Sequence, residues 1–202
     1  MTSRAAWRAW LVANHRQSGS VWLVTFRKHV ADRHVPYDTV VEEALCFGWV
    51  DSLPRALDAD RTMLLLSPRK AGSNWSALNK DRVERMIAAG LMTPAGLEKI
   101  EAAKRDGSWA RLDAVEALVV PDDLAAALAA AVPASGNFAA FPKSVRRGIL
   151  EWIGNAKRPE TRAARVAETA RLAAENRRAN QFDRGAAAAR RERVAGSPSP
   201  SK

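Results

Sequence analysis

Cysteine is almost absent from this chain of 202 residues: Cys46 stands alone, so an intramolecular disulfide cannot form and a cysteine-rich zinc site is excluded. A reducing compartment suits that composition. The three histidines, His15, His29 and His34, show no HExxH or comparable ligand spacing, so neither a metal nor a cofactor is expected. Long apolar runs are missing too. Nothing approaches the roughly 20 consecutive apolar residues that span a bilayer, and Arg8 and then Asn14-His15-Arg16 interrupt the stretch where a secretory signal needs a continuous apolar segment. These absences predict a soluble, cytoplasmic protein without membrane insertion. No helix-turn-helix, zinc-finger or RNA-recognition signature is present, which argues against sequence-specific reading of nucleic acid. No catalytic constellation is visible either, because Cys46 has no histidine at motif spacing to serve as its base.

What the chain does contain is the material of a core. Hydrophobic residues make up 47% and tryptophan occurs seven times, enough apolar surface to offset the entropy of ordering most of the backbone. The formal net charge is +10, and half of that excess lies between Arg177 and Lys202, where seven basic residues face Asp183 and Glu192. The body is only mildly basic. The tail is the part suited to a weak polyanion contact.

Ser3 is a good N-cap for a first helix that puts Trp7, Trp10 and Leu11 on one face. Val21-Trp22-Leu23-Val24-Thr25-Phe26 is apolar on both alternating faces and predicts a central strand covered on both sides. Pro36-Tyr37-Asp38 opens a second helix, which Gly48 closes. Pro54 cannot donate to a ladder, so Val50 to Leu57 reads as an edge strand or bulge; Asp58-Ala59-Asp60 then forms a turn and Thr62 to Leu66 the returning strand. After Pro68 the period is helical to the end, with helices carrying Leu78 to Ile87, Leu97 and Ile100, Leu124 and Leu128, Val145 to Ile153, and Arg162 to Leu172.

About three early strands followed by roughly five helices make an α+β fold. It consists of a small N-terminal antiparallel or mixed sheet with helices, then an all-helical C-terminal part. The expected domains are an α+β domain over 1–110, a helical region over 111–177 and a basic, disordered tail over 178–202.

The polar residues converge on two stretches. Cys46-Phe47-Gly48-Trp49-Val50-Asp51-Ser52 sits at a helix-to-strand junction, and Ser67-Pro68-Arg69-Lys70 with Ser73-Asn74-Trp75-Ser76 and Asn79 closes the next strand and opens the next helix. If the two stretches share one wall, Trp49, Asp51, Arg69, Trp75 and Asn79 form a ligand site. Each also has a structural reading: the tryptophans as core, Asp51 and Arg69 as an ion pair, the serines as caps. Cys46 near a helix C-terminus reads as a buried, unreactive thiol, because the helix dipole there disfavours a thiolate. Lys157, Arg158, Arg162 and Arg165 form a basic stripe that is either a solvated face or, with the tail, a polyanion contact.

Several of these pieces form a pattern: Val21-Trp22-Leu23 followed by Lys28; Glu42-Glu43-Ala44-Leu45-Cys46-Phe47-Gly48-Trp49-Val50-Asp51-Ser52; and Pro68-Arg69-Lys70. It continues with Ser73-Asn74-Trp75-Ser76 and Asn79, Gly90-Leu91-Met92-Thr93 with Gly96, and Ala156-Lys157-Arg158-Pro159-Glu160-Thr161-Arg162. The pattern resembles the small bacterial YdeI/OmpD-associated proteins, also labelled bacteriocin-protection proteins. The resemblance implies a role in tolerance to bacteriocins or cationic antimicrobial peptides and an association with an outer-membrane porin, although the lack of an export signal argues against the porin here. The resulting expectation is a non-enzymatic tolerance or stress protein that binds a small-molecule or peptide ligand. The alternative is a nonspecific nucleic-acid binder working through the last helix and the tail.

Overall fold

The computed structural model describes residues 1–180. Residues 181–202, and with them nearly all of the expected basic tail, lie outside the described residues. The chain forms two compact units, Met1–Glu116 and a second beginning at Ala117. The fold is α+β, with the sheet confined to the first unit. No helix among the described residues is long and apolar enough to cross a membrane.

The first unit runs α1 (Arg4–Asn14), β1 (Val21–Phe26), α2 (Tyr37–Cys46), β2 (Trp49–Ala56), β3 (Arg61–Pro68), α3 (Ala77–Ala88), α4 (Pro94–Arg105) and the single turn α5 (Asp113–Glu116). Its helices start where side-chain oxygens can take orphan backbone N–H groups: Ser3 caps Ala6, Ser76 caps Asn79 and Thr93 caps Gly96. The strands form one antiparallel sheet in the order β1-β3-β2. Pro54 does lie on an edge strand, beside a register shift between Asp51 and Pro54. The expectation of a central β1 is corrected: β3 is central and β1 is an edge. The run in β1 misled because its outward face is apolar without being covered by a second layer. Leu23 and Thr25 are buried inward, whereas Trp22 remains 38% exposed under the Arg55 guanidinium, 5.0 Å from its ring centre.

One core gathers Trp7 and Leu11 from α1, Val40, Val41 and Leu45 from α2, Leu66 from β3, and Trp49, Trp75, Val83 and Ile100. It also encloses an acid. Glu43 is fully buried, and its carboxylate accepts from Arg4 Nε at 2.5 Å and Arg8 Nη1 at 2.7 Å, tying α2 to α1.

The end of α2 and the start of α4 are locked together. The Cys46 carbonyl accepts from both the backbone N–H and the hydroxyl of Thr93, at 3.2 and 2.6 Å. A Cβ at Gly96 would fall 2.4 Å from that same carbonyl oxygen, so only glycine permits the approach. Gly48 has φ of +75°, and a Cβ there would meet Lys99 and the Ala95 carbonyl. The sharp turn from α2 into β2 and its closeness to α4 therefore both require glycine.

The second unit contains α6 (Asp122–Ala130), α7 (Ala134–Ala140), α8 (Lys143–Gly154) and α9 (Pro159–Ala174). Its core includes Leu124, Leu128, Phe138, Ile149, Leu150, Ile153 and Val166. α5 and α7 come in addition to the five later helices read from the sequence. Both are short, and α7 lies between Pro133 and Pro142 with Gly136 inside it, a composition that reads as loop until Phe138 finds its buried place.

Candidate functional site

The two stretches singled out in the sequence do share a wall. Trp49 pairs with Pro68, Val50 with Ser67 and Asp51 with Leu66 across β2 and β3, and the Arg69 N–H donates to the Gly48 carbonyl at 2.9 Å. The five candidate side chains, however, take up different environments.

Trp49 belongs to the core. It is wholly buried, its indole N–H donates to the His15 carbonyl at 2.9 Å, and Trp10 meets its ring edge-on. Asp51 is bonded, but not to Arg69: its carboxylate accepts the Tyr37 hydroxyl at 2.5 Å, and no ion pair within 4 Å joins it to Arg69 among the described residues. Partial burial, and then the hydrogen bond to Asp51, push the Tyr37 phenol up to about 12. Asn79 accepts from Arg82 Nη1 at 2.8 Å, and Arg82, itself buried, also pairs with Asp38. Asn79 is thereby a fixed part of the α2–α3 contact.

Arg69 and Trp75 are arranged otherwise. Arg69 is only 4% exposed and its guanidinium carbon lies over Trp75, 3.6 Å from the ring centre, with Trp109 against Trp75 in turn at 4.9 Å. Nη2 donates to the Asn74 carbonyl at 3.0 Å, while Nε is buried without any acceptor among the described residues. Burial draws the guanidinium down to about 10, against the longer-range pull of Asp51.

Both side chains line a small chamber of about 50 Å³, whose walls also include Lys70, Gly72, Asp106 and Ser108. Asp106 accepts backbone N–H groups from Gly72 at 3.1 Å and Ser108 at 2.8 Å, and hydrogen bonding from Ser108 holds its carboxyl below the ordinary range. Glu98 and Lys99 line the chamber and also a larger cleft of about 570 Å³, walled by His15, Phe47, Gly48, Pro68, Thr93 and Ala95. Sequence reasoning reached Phe47, Gly48, Pro68, Arg69 and Trp75 but not the α4 wall. The signal for that wall was present in Thr93 and Gly96, the residues that bring α4 against Cys46.

The remaining reactive groups are quiet. The Cys46 thiol is fully buried, and burial together with the charge of Glu43 pushes it up to about 11, so it is a thiol at neutral pH. Among the described residues no three histidine, cysteine, aspartate or glutamate side chains are grouped so as to hold a metal ion.

In the second unit, two of the four stripe residues are internal ties. Arg162 forks onto Asp123 at 2.7 and 3.0 Å, and Arg165 donates to the Trp152 carbonyl while lying over its ring. Lys157 and Arg158 are exposed. The helices so tied correspond to a known family. Residues 117–176 match the model described as "Bacteriocin-protection, YdeI or OmpD-Associated". That match lies wholly within the second unit. Residues 1–99 match a different model, a domain of unknown function (DUF8412). Of the pieces behind the resemblance, Ala156 to Arg162 falls in the YdeI/OmpD-associated match, and those from Val21 to Gly96 fall in the first model. No curated protein and no solved structure matches the chain. Every residue lining the cleft and the chamber precedes the stretch that matches the YdeI/OmpD-associated model.

Proposed function

We propose that the protein is a non-enzymatic member of the bacteriocin-protection group that contributes to antimicrobial-peptide or stress tolerance by holding a small or peptide ligand in the cleft of its first unit. One observation carries this reading: an open cleft of about 570 Å³ at the Gly48/Pro68 junction. That volume lies within the range of roughly 300–1,000 Å³ typical of small-ligand sites. Its wall combines an aromatic ring, Phe47, with hydrogen-bonding and charged groups from His15, Glu98 and Lys99. Binding rather than catalysis is favoured because the one thiol is buried and protonated.

The test is a thermal-shift screen of the intact chain against short peptides and small metabolites, repeated on Ala95→Phe, which fills the cleft. A ligand confined to the native state at a hundred times its Kd adds about 2.7 kcal/mol of apparent stability. Ligands of the cleft protect the parent and not the variant, and cells expressing the parent tolerate a cationic antimicrobial peptide better than cells expressing the variant. Protection that is the same in both proteins would dismiss the cleft. The polyanion reading has less support, since Arg162 and Arg165 are engaged within their own unit. A steep loss of DNA affinity with salt would revive it.

A further inference from the structure

Resting on the reading of the cleft as a ligand site, we infer that the chamber beside Arg69 seats a single carboxylate, so that the ligand is an organic acid or a peptide carrying a free carboxylate. Arg69 is a buried cation without an ion-pair partner among the described residues. Arg69 is 4% exposed, yet no carboxylate lies within 4 Å of it among the described residues. Asp51, whose charge reaches Arg69, is hydrogen-bonded to Tyr37 instead. A guanidinium held out of water without a counter-ion is costly, and such groups are kept where an anion completes them.

The hydrogen-bond inventory leads the same way. One N–H of Nη2 is taken by the Asn74 carbonyl and the buried Nε has no acceptor, so the guanidinium, whose planar fork matches the two oxygens of a carboxylate, keeps an unmet donor beside the chamber it lines. The Trp75 ring packs against the guanidinium, whose central carbon lies 3.6 Å from the ring centre.

Size and charge narrow the class. About 50 Å³ takes a single acidic group with a water or two, not a whole ligand. The rest of the molecule then occupies the larger cleft across the shared wall of Glu98 and Lys99. The chamber is lined by three basic residues, Arg69, Lys70 and Lys99, and two acidic ones, Glu98 and Asp106, leaving one positive charge. A monoanion balances it. A phosphate dianion would face the two carboxylates across the same small space.

The test titrates the intact, 15N-labelled chain with acetate, N-acetylglycine, inorganic phosphate and an N-acetylated tripeptide in free-acid and amidated forms. Backbone amides and arginine Nε–H signals are followed together. The Arg69 Nε–H signal is the one missing from Arg69→Lys. Carboxylates should shift that signal and the amides of Gly72 and Ser108. Amidation, Arg69→Lys and Arg69→Gln should each weaken binding at least tenfold, in variants whose spectra remain dispersed. If a variant fails to fold, the acid-against-amide comparison on the parent decides alone. A stronger response to N-acetylglycine than to acetate assigns a small acid with a body in the cleft, and a still stronger one to the tripeptide acid assigns a peptide end.

Equal shifts by acid and amide at Phe47, Gly48 and Lys99 with the Arg69 signal unmoved would overturn the carboxylate seat and leave the cleft reading intact. Phosphate outcompeting every carboxylate would also overturn it. No response at either place would end both.

Discussion

Glu43 offers the most quantitative test of how the first unit is held together. The three charges there are unequally buried: the Glu43 side chain retains 1% of its surface, whereas Arg4 and Arg8 retain 41% and 31%. Replacing the acid by Glu43→Gln leaves two cations that water can reach, and the amide oxygen still accepts one of them. The loss is then that of weakened hydrogen bonds to charged groups, about 1.5–3 kcal/mol. Replacing both arginines by methionine keeps the stems but leaves Glu43 as a lone buried charge, which costs about 3–5 kcal/mol. Loss of the Arg8 bond to the Leu91 carbonyl at 2.8 Å adds to that. With a urea slope of about 2 kcal/mol per molar, the two variants should differ in midpoint by roughly 1 M, the double arginine variant unfolding first. Tryptophan fluorescence is the right probe, because six of the seven tryptophans lie in the first unit. A Glu43→Gln protein that unfolds as early as the double variant, or earlier, would refute the argument from unequal burial.

Other expectations can be checked with simpler measurements. Tyr37 is the only tyrosine, so phenolate absorbance near 295 nm reports it alone; the native midpoint should lie near 12 and move down only part of the way in Asp51→Asn, because burial is the larger cause of the shift. Because that pKa is raised on folding, by burial first and then by the bond to Asp51, the stability linked to the neutral Tyr37 phenol is full below pH 10 and is lost as pH rises through about 12. Cys46 should resist a disulfide reagent at pH 8 in the native chain and react in urea, the raised thiol pKa and burial acting together; rapid native labelling would contradict the packing of α2. Gly96→Ala should gain roughly 1 kcal/mol of helix propensity yet lose more to the clash with the Cys46 carbonyl. Overpacking against backbone costs about 1–3 kcal/mol or more, so a net drop in melting temperature is expected.

The parts of the fold that were legible in the sequence are those set by local chemistry. Ser3, Ser76 and Thr93 announce helix starts, Gly48 announces the turn, and Pro54 announces an edge, because each acts on its own backbone within a few residues. Strand order was not legible. The β1 run looks like an interior strand, and only the pairing of β3 with both neighbours shows that β1 is an edge. The site divided along the same line. Arg69 and Trp75 were found because they follow Pro68 closely, but the choice of Tyr37 over Arg69 as the partner of Asp51 is a tertiary fact, since fourteen residues separate Tyr37 from Asp51. Glu43 and Arg82 went unnoticed because charged residues in helices usually mark the wet face, and nothing in their immediate neighbours shows that Arg8 or Asp38 waits opposite.

That every cleft-lining side chain precedes Ala117 bears on heredity as well as on binding. If the bacteriocin-protection label describes what the second unit does, and the proposed carboxylate seat lies in the first, the two traits are encoded in different segments of the gene. A genome encoding either segment by itself would then separate the two, and comparing such organisms would show whether either half alone confers survival.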